Sequence, residues 1–250
     1  MDLGLANKVA LVTGGSKGIG RGIAELLAAE GARVALTSRS EENAQLVAAE
    51  IFGATGYGFD SADLHSIPGL IDRIEADLGP LDIYIANTGG PPAGDPLGFT
   101  REQWEAAQRT LLISPMTIIE RVLGGMRERG FGRIVAIGST AVREPIDILQ
   151  LSNAHRPGLV AAFKVLARQA GADGVTFNHV HPGRIATERA AQTSGSMEAA
   201  EARARDEVPL ARMGTVAELA AAAVFLCSVP AAYITGTSVY VDGGLMRSVT

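Results

Sequence analysis

A chain of 250 residues with 47% hydrophobic side chains can bury the core of one α/β domain, and a net charge of -5 without any long basic run excludes a phosphate-tracking nucleic-acid surface. No apolar stretch reaches the roughly 18 residues that a membrane-spanning helix needs, and no basic, apolar leader opens the sequence. The single cysteine, Cys227, rules out an internal disulfide; in its apolar run it is expected to be a buried structural thiol of a reducing, cytoplasmic protein with no nucleic-acid or membrane partner.

Residues 8–13 form a short β-branched run that ends at Gly14-Gly15, the pattern of a buried strand meeting a turn. Ile19, Ile23, Leu26 and Leu27 then recur at helical spacing, and Gly31 closes the helix. A second strand at 33–37, a helix after Ser40, a strand near 57–59, a helix around 70–78 and a strand at 81–86 continue the alternation. Two helical segments split near Ser114-Pro115 follow, then a strand at 133–138, a long helix from about 152 to 171, a strand at 175–180, and helix and strand again to the end. Near-continuously apolar strands alternating with amphipathic helices predict a Rossmann-type, doubly wound parallel sheet covered on both faces, in a single domain over 1–250. The stretch 182–209 reads as the least regular part and, at that length, as a functional lid.

The first chemical motif is Thr13-Gly14-Gly15-Ser16-Lys17-Gly18-Ile19-Gly20. Gly14, Gly18 and Gly20 fall where a strand turns into a helix, so that backbone can approach a pyrophosphate at the helix N-terminus. Ser16, Lys17 and Ile19 lie in the same loop. An acidic residue at the end of the second strand would hydrogen-bond the ribose 2′-hydroxyl of NAD, but Ser38 and Arg39 stand there. Arg39, with Lys17 on the same side, suits a 2′-phosphate, which predicts NADP over NAD. The competing reading makes Arg39 a solvated cation neutralised by Glu41 and Glu42.

Further motifs follow in order up to Gly244. They are Asp60; Ala86-Asn87-Thr88-Gly89; Asn178-x-Val180-x-Pro182-Gly183-x-Ile185-x-Thr187; Gly236; and Asp242-Gly243-Gly244. Together with the glycine loop they resemble the classical short-chain dehydrogenase/reductases of the 3-oxoacyl-acyl-carrier-protein reductase type. The resemblance implies an adenine contact from Asp60 and a cofactor-lining role for Asn87 and Gly89. It implies that Pro182, Gly183, Ile185 and Thr187 hold the nicotinamide carboxamide, that the substrate is a small carbonyl or alcohol, and that the protein is a homotetramer.

At the catalytic positions the sequence departs from that pattern. Ser139 matches the serine that binds the substrate oxygen. The tyrosine is replaced by Ser152, the lysine by Arg156, and the asparagine of the preceding helix by Leu111. A serine hydroxyl is a poor acid beside a phenol, and a guanidinium is an electrostatic clamp. His155, His181 and a burial-raised Glu144 are the candidate proton donors, with Arg143 beside the same opening. Three readings follow: an NADP-dependent oxidoreductase with an atypical active site, a catalytically silent dinucleotide sensor or scaffold, and a different reaction on the same fold, as in the halohydrin dehalogenases.

Overall fold

The computed structural model describes residues 1–249. In chain order, β1 (Val9–Val12), α1 (Gly18–Ala29), β2 (Arg33–Ser38), α2 (Glu41–Ala49), β3 (Ala54–Gly58), α3 (Ile67–Leu78) and β4 (Ile83–Ala86) build the first half. The second half comprises α4 (Arg101–Gln108), α5 (Ser114–Glu128), β5 (Gly132–Ile137), α6 (Gln150–Ala170), β6 (Val175–Pro182), α7 (Glu188–Ser194), α8 (Met197–Glu207), α9 (Val216–Cys227) and β7 (Ser238–Val241). The seven strands run parallel in the order β3-β2-β1-β4-β5-β6-β7, so the topological switch lies between β1 and β4. That crevice, at the carboxyl ends of the strands, is where an open α/β sheet takes its ligand.

Strand periodicity divides the core. Ala10 and Val12 of β1 pack into one apolar layer under α1, α2 and α9, while Val9 and Leu11 enter the other, under α3, α5 and α6. Cys227 is fully buried in the first layer, and burial pushes its thiol up to about 12, as befits a structural cysteine.

Several boundaries differ from expectation for identifiable reasons. The strand expected near 57–59 lies at Ala54–Gly58; Tyr57 pairs with Thr37, and α2 lies so close that a Cβ on Gly56 would stand 2.2 Å from the Ala44 carbonyl carbon. The break expected at Ser114-Pro115 is a π-helical turn over Arg109–Ile113, which leaves Pro115 in the first turn of α5, where its missing N–H is harmless. β6 runs on to Pro182 because β7 pairs with it as far as Pro182 and Val241. The stretch 182–209 is not irregular: α7 and α8 occupy most of it. Ala200, Ala204, Val208 and Met213 form a small core there, and Glu207 pairs with both Arg184 and Arg203.

Arg133 on β5 is 3% exposed and takes no carboxylate partner among the described residues. Its guanidinium donates to the carbonyls of Ser228, Gly132 and Gly174 and lies 4.3 Å from the Phe131 ring centroid, tying β5 to the α9–β7 connection. An Arg133→Ala variant takes a donor from three carbonyls, of which Gly174 O keeps the Gly132 N–H, and is expected to lose about 2 kcal/mol in urea denaturation. A loss below about 1 kcal/mol would mean that water replaces the guanidinium.

Candidate active site

The glycine loop follows β1 directly. Gly14 and Gly18 take left-handed φ values of 59° and 54°, and Gly15 N–H bonds the Thr37 carbonyl, anchoring the turn to β2. A Cβ on Gly20 would stand 2.3 Å from the Gly14 carbonyl oxygen and 2.5 Å from Asn87 Nδ2. Asn87 latches the turn from the other side: its Nδ2 donates to the carbonyls of Thr13 and Gly14, and its N–H reaches Thr13 Oγ1. No side chain caps the N-terminus of α1, so its first N–H groups stay open to an anion. This cradle, closed to side chains but open at the helix end, fits a dinucleotide pyrophosphate.

Around it, Ser38 Oγ accepts from Asn43 Nδ2, and Arg39 is exposed without an ion pair among the described residues. Glu41 is committed to Arg73, which holds its carboxyl below the usual range, and so does not neutralise Arg39. Lys17 reaches the lid, with Nζ 3.7 Å from Glu188, and does not join Arg39. Asp60 is exposed and accepts from the Ala62 N–H, capping a turn. A Cβ on Gly89 would meet nothing within 4 Å. Ser16 and Ile19 are half-buried at the loop.

At the end of β6, Pro182 and Gly183 approach β7; a Cβ on Gly183 would fall 2.6 Å from Asp242. Ile185 is 5% exposed and bridges to Gly214. Thr187 caps α7 and rests over Gly18, whose added Cβ would lie 3.6 Å from the Thr187 methyl. From the next two residues the lid grips both sides of the crevice. Glu188 meets Lys17, and Arg189 donates from Nη1 to Gly90 O (3.1 Å) and from Nη2 to Pro91 O (2.8 Å), beyond β4.

Ser152 lies beside Arg156, whose guanidinium also reaches the end of β5 two residues before Ser139. Ser139 Oγ accepts from the Ala141 N–H, which leaves its own proton to donate. Ser152, 4% exposed, accepts from Arg156 Nε at 2.9 Å, while Arg156 Nη1 donates to Ile137 O at 2.9 Å. Burial, with Arg189 nearby, pushes the Arg156 guanidinium down to about 10. Leu111 lies in the π-helical turn and packs with Ala107 and Leu151.

The candidate proton donors are placed differently from one another. His155 packs edge-on against Trp104 with its Nε2 buried and partnerless, and burial lowers its pKa. His181 is fully buried; its Nδ1 accepts from Ser139 N–H, which requires the proton on Nε2, where it faces Ser238 Oγ at 3.0 Å. Burial, then Arg156, pushes His181 down to about 4. Glu144 is not the burial-raised acid expected from the sequence. It accepts from the N–H groups of Arg247 and Ser248, and these bonds lower its pKa instead of raising it. Arg189 escaped sequence reasoning because it sits in a segment without a motif. Tyr240, distant in sequence, comes within 4.9 Å of the His181 ring through β6–β7 pairing.

A parallel doubly wound sheet with a glycine cradle at its switch point defines a dinucleotide-binding α/β protein. The profile of the enoyl-(acyl carrier protein) reductase family matches residues 14–246. The 3-oxoacyl-[acyl-carrier-protein] reductase of Escherichia coli K12 is 37% identical over 240 residues, covering 95% of this chain and 97% of that one. Among solved structures, L-sorbose reductase from Gluconobacter frateurii, complexed with NADPH and L-sorbose, superposes with a TM-score of 0.95 at 28% identity over all of both chains. YwfH, an NADPH-dependent reductase involved in bacilysin biosynthesis, superposes with a TM-score of 0.92 at 30% identity over 97% of this chain and 99% of that one. The chain belongs to the short-chain dehydrogenase/reductase family and is an NAD(P)-dependent oxidoreductase. Among the described residues no helix is long and apolar enough to cross a membrane, and no cluster of His, Cys, Asp or Glu is arranged to hold a metal.

Proposed function

We propose that the protein is an NADP-dependent reductase of small carbonyl compounds, working in either direction, whose serine pair and buried guanidinium replace a phenolic acid. The observation that carries this reading is the glycine cradle latched by Asn87, with exposed, unpaired Arg39 at the adjacent strand end. Gly14, Gly18 and Gly20 admit the pyrophosphate, and Arg39 faces the adenosine ribose, where a 2′-phosphate gives it a partner. Asn87, Gly89, Pro182, Gly183, Ile185 and Thr187 line the path to the reacting end. When bound, the nicotinamide supplies or accepts a hydride.

The residues themselves supply electrostatics. Ser139 and Ser152 each have their oxygen engaged as an acceptor, so each hydroxyl proton is directed outward to a substrate oxygen. Arg156 behind Ser152 stabilises negative charge developing on that oxygen. His155 packs on Trp104, and His181 holds the Ser139 backbone, so proton delivery passes through Ser152 from solvent. The absence of a near-neutral acid at Ser152 favours a slow enzyme, and also supports the second reading of a silent dinucleotide sensor. The homotetramer implied by the family resemblance completes this proposal.

Calorimetric titration tests the cofactor, and NADPH oxidation over a carbonyl panel tests the chemistry. NADPH is expected to bind at least tenfold tighter than NADH, with Arg39→Ala removing most of that margin. Equal affinities would remove the NADP preference. Tight NADPH binding without single-turnover hydride transfer would leave the sensor.

A further inference from the structure

Two arginines stand at the carboxyl ends of adjacent strands without a carboxylate partner among the described residues. Arg156 Nε and Nη1 bond Ser152 Oγ and Ile137 O at the end of β5, and Nη2 has no hydrogen-bond partner among the described residues. Arg189 Nη1 and Nη2 bond Gly90 O and Pro91 O, just beyond β4, which pairs with β5 up to Ala86 and Ala136; its Nε is likewise without a partner. Among the described residues nine other arginines pair with an Asp or Glu, and buried Arg133, also without a carboxylate, spends its donors on three carbonyls at the opposite end of β5. Arg156 and Arg189 instead face only neutral oxygens; Arg156 is half-buried, which lowers its pKa, while Arg189 is exposed at the crevice. Both guanidiniums thus bond carbonyls at or just beyond the carboxyl ends of the paired strands β4 and β5. Glu188, next to Arg189, turns the other way, to Lys17.

We propose that the substrate carries a carboxylate within a few bonds of its reacting carbon, gripped by Arg156 and Arg189 beside Ser139 and Ser152. The inference rests on the reductase reading and narrows its substrate class. A guanidinium offers a planar fork that matches a carboxylate, and an anion placed here compensates two cations that the fold leaves without counter-charge. A thioester on an acyl carrier does not meet this requirement. Its reacting carbonyl is neutral, and its phosphate lies at the far end of the pantetheine arm, away from the serines. Arg189 belongs to α7, so an anionic substrate also binds the lid to the strand ends and closes the site over itself.

The test compares short 2-, 3- and 4-oxo acids with their methyl esters as NADPH-dependent substrates, and as ligands titrated into the NADP-loaded protein, for wild type, Arg189→Gln and Arg189→Lys. Acids are expected to exceed esters at least tenfold in kcat/KM or in affinity. The preference should fall to within about threefold in Arg189→Gln and return in part in Arg189→Lys. Esters equal to acids, with NADPH oxidation intact, overturn the carboxylate and leave the reductase standing. An Arg189→Gln variant that loses NADPH affinity as steeply as acid affinity assigns Arg189 to the cofactor and also overturns the proposal. A wild type that binds no NADPH removes the reductase reading itself and this inference with it.

Discussion

A Gly20→Val variant is expected to lose NADPH affinity by at least a hundredfold, about 2.7 kcal/mol, in calorimetric titration. Even the first added carbon would stand 2.3 Å from the Gly14 carbonyl oxygen and 2.5 Å from Asn87 Nδ2, and the former is backbone that cannot swing aside. Relief requires α1 to move off the turn, which breaks the latch from Asn87 and misdirects the open N–H groups of α1. Gly20→Ala applies the same displacement with less bulk and keeps the test alive if the valine variant folds poorly. Gly69→Ala is the control: it lies on α3, where an added Cβ meets nothing within 4 Å, and it should bind NADPH like the wild type. Affinity within threefold of wild type for Gly20→Val, with native circular dichroism, would show that the pyrophosphate does not sit on this turn.

The architecture was legible because strand and helix periodicities are local. β1, with Ala10 and Val12 on one face and Val9 and Leu11 on the other, reads directly from the chain, as does the glycine turn after it. What escaped depended on partners far away in sequence. α7 and α8 are short and polar, and their order comes from Glu207 pairing with Arg184 and Arg203 over a four-residue apolar cluster, which no period announces. The same limit applied to the site. Ser139, Ser152 and Arg156 were singled out by position, but the bond from Arg156 to Ile137 O and the turn of His155 toward Trp104 are tertiary facts. Glu144 was misjudged because the N–H groups that hold it ionised, at Arg247 and Ser248, lie at the other end of the chain. Arg189 became visible only when α7 delivered it to the loop after β4.

Stability is expected to fall steeply as pH drops from 7 to 5, because β6 buries two histidines in their neutral form. His179 is 3% exposed, with its ring 4.4 Å from Phe163 and 5.5 Å from His181, and its Nε2 has no partner. Burial first, then His181 and Arg156, pushes His179 down to about 3; burial, then Arg156, pushes His181 down to about 4. Both folded values lie below the ordinary histidine value of 6.5, so protonation favours the unfolded chain. Their contribution is complete above pH 6.5 and is lost progressively as pH falls toward 4 and 3. Carboxylates are largely silent between pH 7 and 5, so the histidine pair dominates that interval, at roughly 4 kcal/mol in all. Urea denaturation across pH is the measurement, and His179→Phe should remove about half of the slope while keeping the ring packing. A wild type as stable at pH 5 as at pH 7 would sink the idea. The same titration reaches the active site: a protonated His181 can no longer accept the Ser139 N–H, so the serine that faces substrate loses its backbone anchor as the protein loses its acid stability.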